Sequence, residues 1–363
     1  MKTIAFILPS LNVGGSEKVT LSIIKGLDKK KYRPVLIALN AKGPLKNEIP
    51  CKVRLYTVGG SRMHHSVIKL IKLLRHLQPD CIFSTLGYVN LTILLIKRLH
   101  LLKAKIIVRE ASTASMALKL FPAYKARCYK FLYRLLYPGA DLIIAQCDNI
   151  KKDLIKNFCI KRDKIVRIYN PVDIISVISK SNQFYPPEFK RTEINIVAVG
   201  RLVKAKGYDV LLKAFHKLIK IAPDAHLYII GDGPLRNKLE NLSRNLKLDS
   251  KVTFVGFVSN PYPYIRHSDL YVLSSRWEGF PNTLLEALVC GAKVVATDCE
   301  SGPREILKDE TYGLLAKVDD DFSLCRKMWQ YLNSDCKSAD RGKDFDLDRI
   351  ILKYQKAFDR VMA

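Results

Sequence analysis

Short apolar runs alternate with stretches of helical period along most of the chain. Residues 4–8, 35–39, 81–84, 106–108, Leu142–Ala145 and 165–168 read as buried strands in the first half. Ile194–Val199, Ala225–Ile230, 252–255, Leu270–Leu273 and 293–297 read the same way in the second. Between most of them lie helical patterns of roughly 10–15 residues, with apolar positions three and four apart. Continuous apolar strands alternating with helices predict parallel sheets covered on both faces. The alternation breaks at Asn170-Pro171-Val172-Asp173 and again at Tyr185-Pro186-Pro187, and a new strand opens at Ile194. This places one domain at 1–172 and a second at 190–340. A helix within 345–363 carries Ile350, Ile351, Tyr354, Phe358 and Val361 on one face.

Charge separates the two halves. The formal net charge is +27, and residues 1–136 hold 25 basic against 5 acidic side chains, leaving the remainder nearly balanced. A basic half predicts a polyanionic partner, either nucleic acid or an anionic membrane surface. In 116–136, Lys119, Lys125, Arg127, Lys130 and Arg134 interleave with Leu118, Phe121, Tyr124, Phe131 and Tyr133, and 97–103 is similar. That pattern fits a membrane-surface helix, or a packing helix with a solvated basic face. No helix-turn-helix or zinc spacing supports nucleic acid, which is not expected as a partner. The nine cysteines are odd in number and form no Cys-x-x-Cys pair. They point away from a disulfide framework and towards a cytosolic protein. No apolar run approaches the about 20 residues of a spanning helix, and residues 2–9 are too short for a signal core. A chain soluble in itself is expected.

Four motifs carry chemistry. Pro9-Ser10-Leu11-Asn12-Val13-Gly14-Gly15-Ser16-Glu17 joins the first strand to a helix starting near Ser16. Its glycines would let an anion approach the helix N-terminus, or it is an ordinary turn with Ser16 as N-cap. Gly200-Arg201-Leu202-Val203-Lys204-Ala205-Lys206-Gly207 follows the strand Ile194–Val199. Arg201 and Lys206 fall where such sheets bind ligands and suit a diphosphate, unless they form a solvated charge cluster. Gly231-Asp232-Gly233-Pro234 follows the next strand. In Glu278-Gly279-Phe280-Pro281-Asn282-Thr283-Leu284-Leu285-Glu286, two carboxylates flank a loop and a helix start. Carboxylates accept several hydrogen bonds and so bind sugar hydroxyls well, unless the segment is simply a capped helix with two exposed acids. Asp-x-Asp patterns at 319–321, 344–346 and 346–348 read as solvated, not as metal sites.

In this order and spacing, over nearly the whole chain, the four motifs resemble family 4 of the retaining glycosyltransferases, of GT-B fold. The segment Asp298-Cys299-Glu300-Ser301-Gly302-Pro303-Arg304-Glu305 resembles a subgroup that builds bacterial O-antigen, capsule and lipid-linked oligosaccharides. The resemblance implies two Rossmann-like domains with parallel sheets facing across a cleft, and a last helix crossing back to the first domain. It implies a nucleotide-sugar donor, UDP-linked, carrying a hexose or N-acetylhexosamine. The acceptor would be a growing lipid-linked glycan, reached from the cytoplasmic side of the membrane through the basic half.

Residue by residue, Arg201 and Lys206 match the pair holding the donor pyrophosphate, and Glu286 the acid on the ribose. Glu278 matches the acid near the transferred sugar, with Gly279, Phe280 and Pro281 adding backbone contacts. Gly14 and Gly15 match the loop facing the donor phosphates, and Gly231, Asp232 and Gly233 shape the nucleotide pocket. Where many relatives carry a His near the reacting sugar, this chain has Arg109-Glu110, with Glu110 the expected match and Arg109 the alternative. Glu110 would accept the acceptor proton or bind a hydroxyl, unless it pairs with Arg109 at a domain edge. Arg201, Lys206 and backbone N–H groups would stabilise the leaving phosphate, so neither a metal nor another cofactor is expected. A nonenzymatic scaffold of the same fold is the competing reading.

Overall fold

The computed structural model describes residues 1–12, 14–59, 63–334 and 341–363. They divide into two compact units, Met1–Pro171 with Leu347–Ala363, and Val172–Asp346.

The first unit is built on a seven-stranded sheet. Its strands are β1 (Lys2–Ser10), β2 (Tyr32–Asn40), β3 (Arg54–Thr57), β4 (Cys81–Thr85), β5 (Lys105–Glu110), β6 (Leu142–Ala145) and β7 (Ile165–Arg167). Their order is β3-β2-β1-β4-β5-β6-β7, and every pairing is parallel. Ile4, Ala5, Phe6, Ile7 and Leu8 are all fully buried, as expected of a strand covered on both faces. The edge strand β3, Arg-Leu-Tyr-Thr, escapes the apolar pattern because it is short and only half buried.

The helix Leu347–Met362 completes this unit's core. Ile350, Ile351, Tyr354, Phe358 and Val361 are its buried face, as the periodicity predicts. Phe358 packs edge-on against Phe6 and Phe83, with centroids 6.1 and 5.9 Å away. Tyr32 donates its hydroxyl to Asp359 at 2.5 Å, fixing the helix against the start of β2.

The second unit holds six parallel strands: β8 (Ile194–Val199), β9 (Ala225–Ile230), β10 (Val252–Gly256), β11 (Leu270–Leu273), β12 (Val294–Thr297) and β13 (Leu314–Ala316). Their order is β10-β9-β8-β11-β12-β13. The three-residue edge strand β13 is again one that the pattern misses. The segment after Pro171, featureless in sequence, contains the helix Ile174–Ser181, capped by Asp173 accepting from the Ser176 N–H at 2.9 Å. In both sheets the strand order reverses once, beside β1 and beside β8. The carboxyl ends of strands at such a reversal are where doubly wound folds bind ligands.

Candidate functional site

In the second unit, two loops leave neighbouring strands at the reversal, one after β8 and one after β11. Their backbones are stitched together. Arg276 donates its N–H to the Ala205 carbonyl at 2.7 Å, and the Ser274 hydroxyl donates to the Lys206 carbonyl at 2.8 Å. Gly207 has φ +62°, and a Cβ there would lie 2.1 Å from the Ser274 carbonyl oxygen. Only glycine permits both that conformation and that approach.

The stitching brings Lys206 Nζ to 2.5 Å from Glu278 Oε1, and the Ser275 hydroxyl donates to the same oxygen at 2.6 Å. Both charges are largely buried, with side chains 22% and 12% exposed. Arg276 anchors the pair of loops from behind. It forks onto Asp209 at 2.8 and 2.7 Å, reaches Asp319 at 2.6 Å and the Lys204 carbonyl at 3.0 Å. Hydrogen bonds from Arg276 hold the Asp209 carboxyl below its usual range.

Arg201 is exposed, and no acceptor among the described residues holds it. Its loop is braced by the turn after β9. The Leu202 N–H donates to the Asp232 carbonyl at 3.0 Å, and a Cβ on Gly231 (φ +133°) would meet the Gly200 oxygen at 2.1 Å. Asp232 Oδ1 accepts from the Gly233 N–H at 2.7 Å. After Glu278 and Gly279, Phe280 is buried with its ring centroid 6.0 Å from that of Phe345. Pro281 then caps the helix Asn282–Val289. Glu286, half-buried on that helix, accepts from the Tyr262 hydroxyl at 3.3 Å.

The carboxylates of the first Asp-x-Asp pattern have protein partners. Asp319 binds Arg276, Asp320 caps the Ser323 N–H at 2.8 Å, and Asp321 pairs with Lys217 at 3.2 Å.

In the first unit, the helix after β1 begins at Gly15, with Gly14 at the cap and no capping side chain. Ser16 is therefore not the cap; its carbonyl accepts from the Thr20 hydroxyl at 2.9 Å. Val13 of this motif lies outside the described residues, as do 335–340 at the end of the expected second domain.

At the end of β5, Arg109 and Glu110 are 0% and 1% exposed. Arg109 donates to Asn170 Oδ1 at 2.6 Å and to the Thr85 hydroxyl at 3.2 Å. Glu110 accepts from the hydroxyls of Tyr137 and, at 3.4 Å, Tyr133. Asn90 ties the group together, donating to Tyr137 Oη at 3.2 Å and to the Arg109 carbonyl at 3.1 Å. Burial pushes the Glu110 carboxyl up to about 7, against the opposing pull of the Tyr137 hydrogen bond.

The family model for Glycosyltransferase Family 4 matches residues 13–175, and that for Glycosyl transferases group 1 matches 179–344. A Campylobacter jejuni protein named N-acetylgalactosamine-N,N'-diacetylbacillosaminyl-diphospho-undecaprenol 4-alpha-N-acetylgalactosaminyltransferase is 31% identical over 98% of this chain and 99% of its own length. The chain is a family 4 glycosyltransferase. A second Campylobacter jejuni relative, a GalNAc-alpha-(1->4)-GalNAc-alpha-(1->3)-diNAcBac-PP-undecaprenol alpha-1,4-N-acetyl-D-galactosaminyltransferase, is 26% identical over 99% of both chains. The crystal structure of Anabaena Alr3699/HepE in complex with UDP and glucose shares the GT-B fold, with a TM-score of 0.82 at 18% identity over 99% of this chain and all of that one.

For this glycosyltransferase, the motif reading overlooked four side chains that organise these two clusters, one in each unit. Arg276 sits two residues before Glu278, and its bidentate partner Asp209 is far away in sequence. Of the Glu110 tyrosines, Tyr133 sits in a stretch that reads as a basic helix and Tyr137 in the turn just after it.

Proposed function

We propose that this glycosyltransferase moves a hexose or N-acetylhexosamine from a UDP-linked donor to a lipid-linked bacterial glycan, with retention at the anomeric carbon and without a metal ion. The observation carrying this reading is the pairing of Lys206 with Glu278 beside an uncommitted Arg201, at the strand reversal of the second unit. The names of the two Campylobacter relatives support a diphospho-undecaprenol-linked acceptor and an N-acetylgalactosaminyl donor.

In this reading Arg201 offers its fork to the diphosphate, and Lys206 adds a charge held in place by Glu278 and Ser275. As the bond from the anomeric carbon to the β-phosphate oxygen breaks, negative charge grows on that phosphate. The two cations stabilise it in a partly desolvated site. The acceptor oxygen bonds to the same face of the sugar, and its proton passes to the departing phosphate oxygen. Gly231, Asp232 and Gly233 hold the Arg201 loop, while Gly279, Phe280 and Pro281 carry the backbone past the sugar. Glu286 takes the ribose hydroxyls. In the first unit, Gly14 and Gly15 form the helix start that faces phosphate oxygens. Glu110, closed off by its tyrosines, acts as a positioning residue at the end of β5.

The enzyme would work at the inner face of the membrane. The helix Ala123–Leu136 exposes Tyr124, Phe131 and Leu135 at spacings of seven and four, flanked by Lys125, Arg127, Lys130 and Arg134. Such a face suits an anionic lipid surface. No helix among the described residues is long and apolar enough to cross a membrane.

The test is transfer from UDP-N-acetylgalactosamine to a polyprenyl-diphosphate-linked glycan, with and without chelator. Transfer should be insensitive to chelator and abolished in Glu286→Ala with folding intact. Full activity in that variant would remove the site assignment.

A further inference from the structure

The carboxyl ends of the strands are not the only place where the first unit gathers chemistry. A recess of about 360 Å³ opens at the opposite, amino-terminal edge of β1, β2 and β3. Thr3, Arg33, Val35, Arg54 and Tyr56 line it. The strand register pairs Thr3 with Arg33, Val35 with Arg54 and Ile37 with Tyr56, so these side chains share one face of the sheet. Arg33 and Arg54 thus stand diagonally on neighbouring strands.

Lys29 and Lys52 also border the recess, and none of its lining residues is acidic. No carboxylate among the described residues pairs with any of these four cations. Three acids near this edge have other partners: Asp28 accepts from the Lys30 N–H at 2.8 Å, Asp80 accepts from the Thr3 N–H at 2.7 Å and faces Lys2 at 3.6 Å, and Asp359 accepts from Tyr32. Arg33 is held in place, its Nε and Nη2 donating to the Thr3 hydroxyl at 3.2 and 2.9 Å, while Thr3 is itself 6% exposed. Lys29 donates to the Ile24 carbonyl.

Four unneutralised cations around one hollow repel one another, and a bound anion relieves that repulsion. Guanidinium forks match phosphate oxygens in particular. The volume lies at the small end of ligand pockets, roughly 300–1,000 Å³. We infer that this recess is a binding site for a phosphate ligand of two or more negative charges. Arg33 and Arg54 fork onto its oxygens, and Lys29 and Lys52 flank it. The ligand is a soluble polyphosphate or phosphate ester, or the phosphorylated headgroup of a lipid. The inference stands on the recess alone and is independent of the reaction proposed above.

The probe is sodium tripolyphosphate, titrated calorimetrically into the full chain. One saturable site is expected. The double variant Arg33→Ser, Arg54→Ser should weaken it about 100-fold or more, since hydrogen bonds to charged groups typically contribute about tenfold or more each. Lys125→Ser with Lys130→Ser, on the exposed basic helix, should leave it unchanged. Without ligand, the double variant should melt at or above the parent temperature, because a repulsion has been removed. Thr3→Val, which keeps every charge but frees Arg33, should weaken binding several-fold. Affinity within about twofold of the parent in the double variant would overturn the inference, as would an equal loss in the Lys125/Lys130 variant. Vesicles containing phosphatidic acid separate the sources. Capture that depends on Arg33 and Arg54 assigns a lipid headgroup; capture that ignores them, alongside lost tripolyphosphate binding, assigns a soluble phosphate.

Discussion

The carboxyl ends of the two sheets handle charge in opposite ways. In the second unit, Lys206, Glu278, Arg276 and Asp209 are opposite charges in direct contact, partly open to solvent, beside the exposed Arg201. In the first, Arg109 and Glu110 are adjacent and fully buried, but their hydrogen bonds go mainly to neutral groups: Asn170, Thr85, Tyr133 and Tyr137. A partly open ion pair can exchange partners with an incoming phosphate or sugar at modest cost. A buried charge satisfied by hydroxyls and amides cannot, because losing a partner exposes the full desolvation penalty. The first arrangement fits ligand handling and the second a rigid support.

The sharpest way to test that contrast is Lys206→Ala. If the pair handles the diphosphate, transfer should fall about 100- to 1,000-fold, typical of a lost charge stabiliser, while the melting temperature barely moves. An unaffected rate would put Lys206 among the structural charges instead.

The buried side should respond to pH. Because burial raises the Glu110 carboxyl to about 7 from an ordinary 4.5, the folded state prefers the proton. Its contribution is full below about pH 4.5 and is lost as pH rises through about 7, on the order of 3 kcal/mol. Glu110→Gln removes that titration, so its melting temperature should vary less than the parent's between about pH 5 and about pH 8. Parallel curves would mean that Glu110 is not the group responsible.

Arg276 tests whether the open side needs a fixed frame. Arg276→Ala should raise the donor KM about tenfold or more, the scale of a lost charged fork. Arg276→Lys, which keeps the charge but not the fork, should recover little. Equal recovery by lysine would show that charge alone matters.

The smallest effect expected is at the membrane face. Each of Lys125→Ser and Lys130→Ser should weaken binding to vesicles containing phosphatidylglycerol by about 1 kcal/mol, with donor binding unchanged. A change in donor binding without one in vesicle binding would remove the membrane role.

Much of this architecture was legible beforehand because parallel strands write long apolar runs. Ile194–Val199, Ala225–Ile230 and Leu270–Leu273 end where the pattern ends them. The edges were not legible. Arg54–Thr57 and Leu314–Ala316 bury too little, over too few residues, to leave a period. The motifs placed Arg201 and Lys206 after one strand and Glu278 after another, but gave neither the adjacency of those strands nor the bonding. The contact of Lys206 with Glu278 depends on Gly207 passing under Ser274, a contact distant in sequence. Glu110 could be located at the end of β5, yet the tyrosines that enclose it come from a helix whose charges pointed attention outwards and from the turn after that helix.

The helix Leu347–Met362 closes the first unit's core only after the whole second unit has been translated. At about 5–20 residues per second, that wait is on the order of ten seconds or more. Throughout it, Phe6 and Phe83 lack the ring of Phe358, and the apolar face this helix covers stays open. Of the two units, the first is thus begun earlier and completed later.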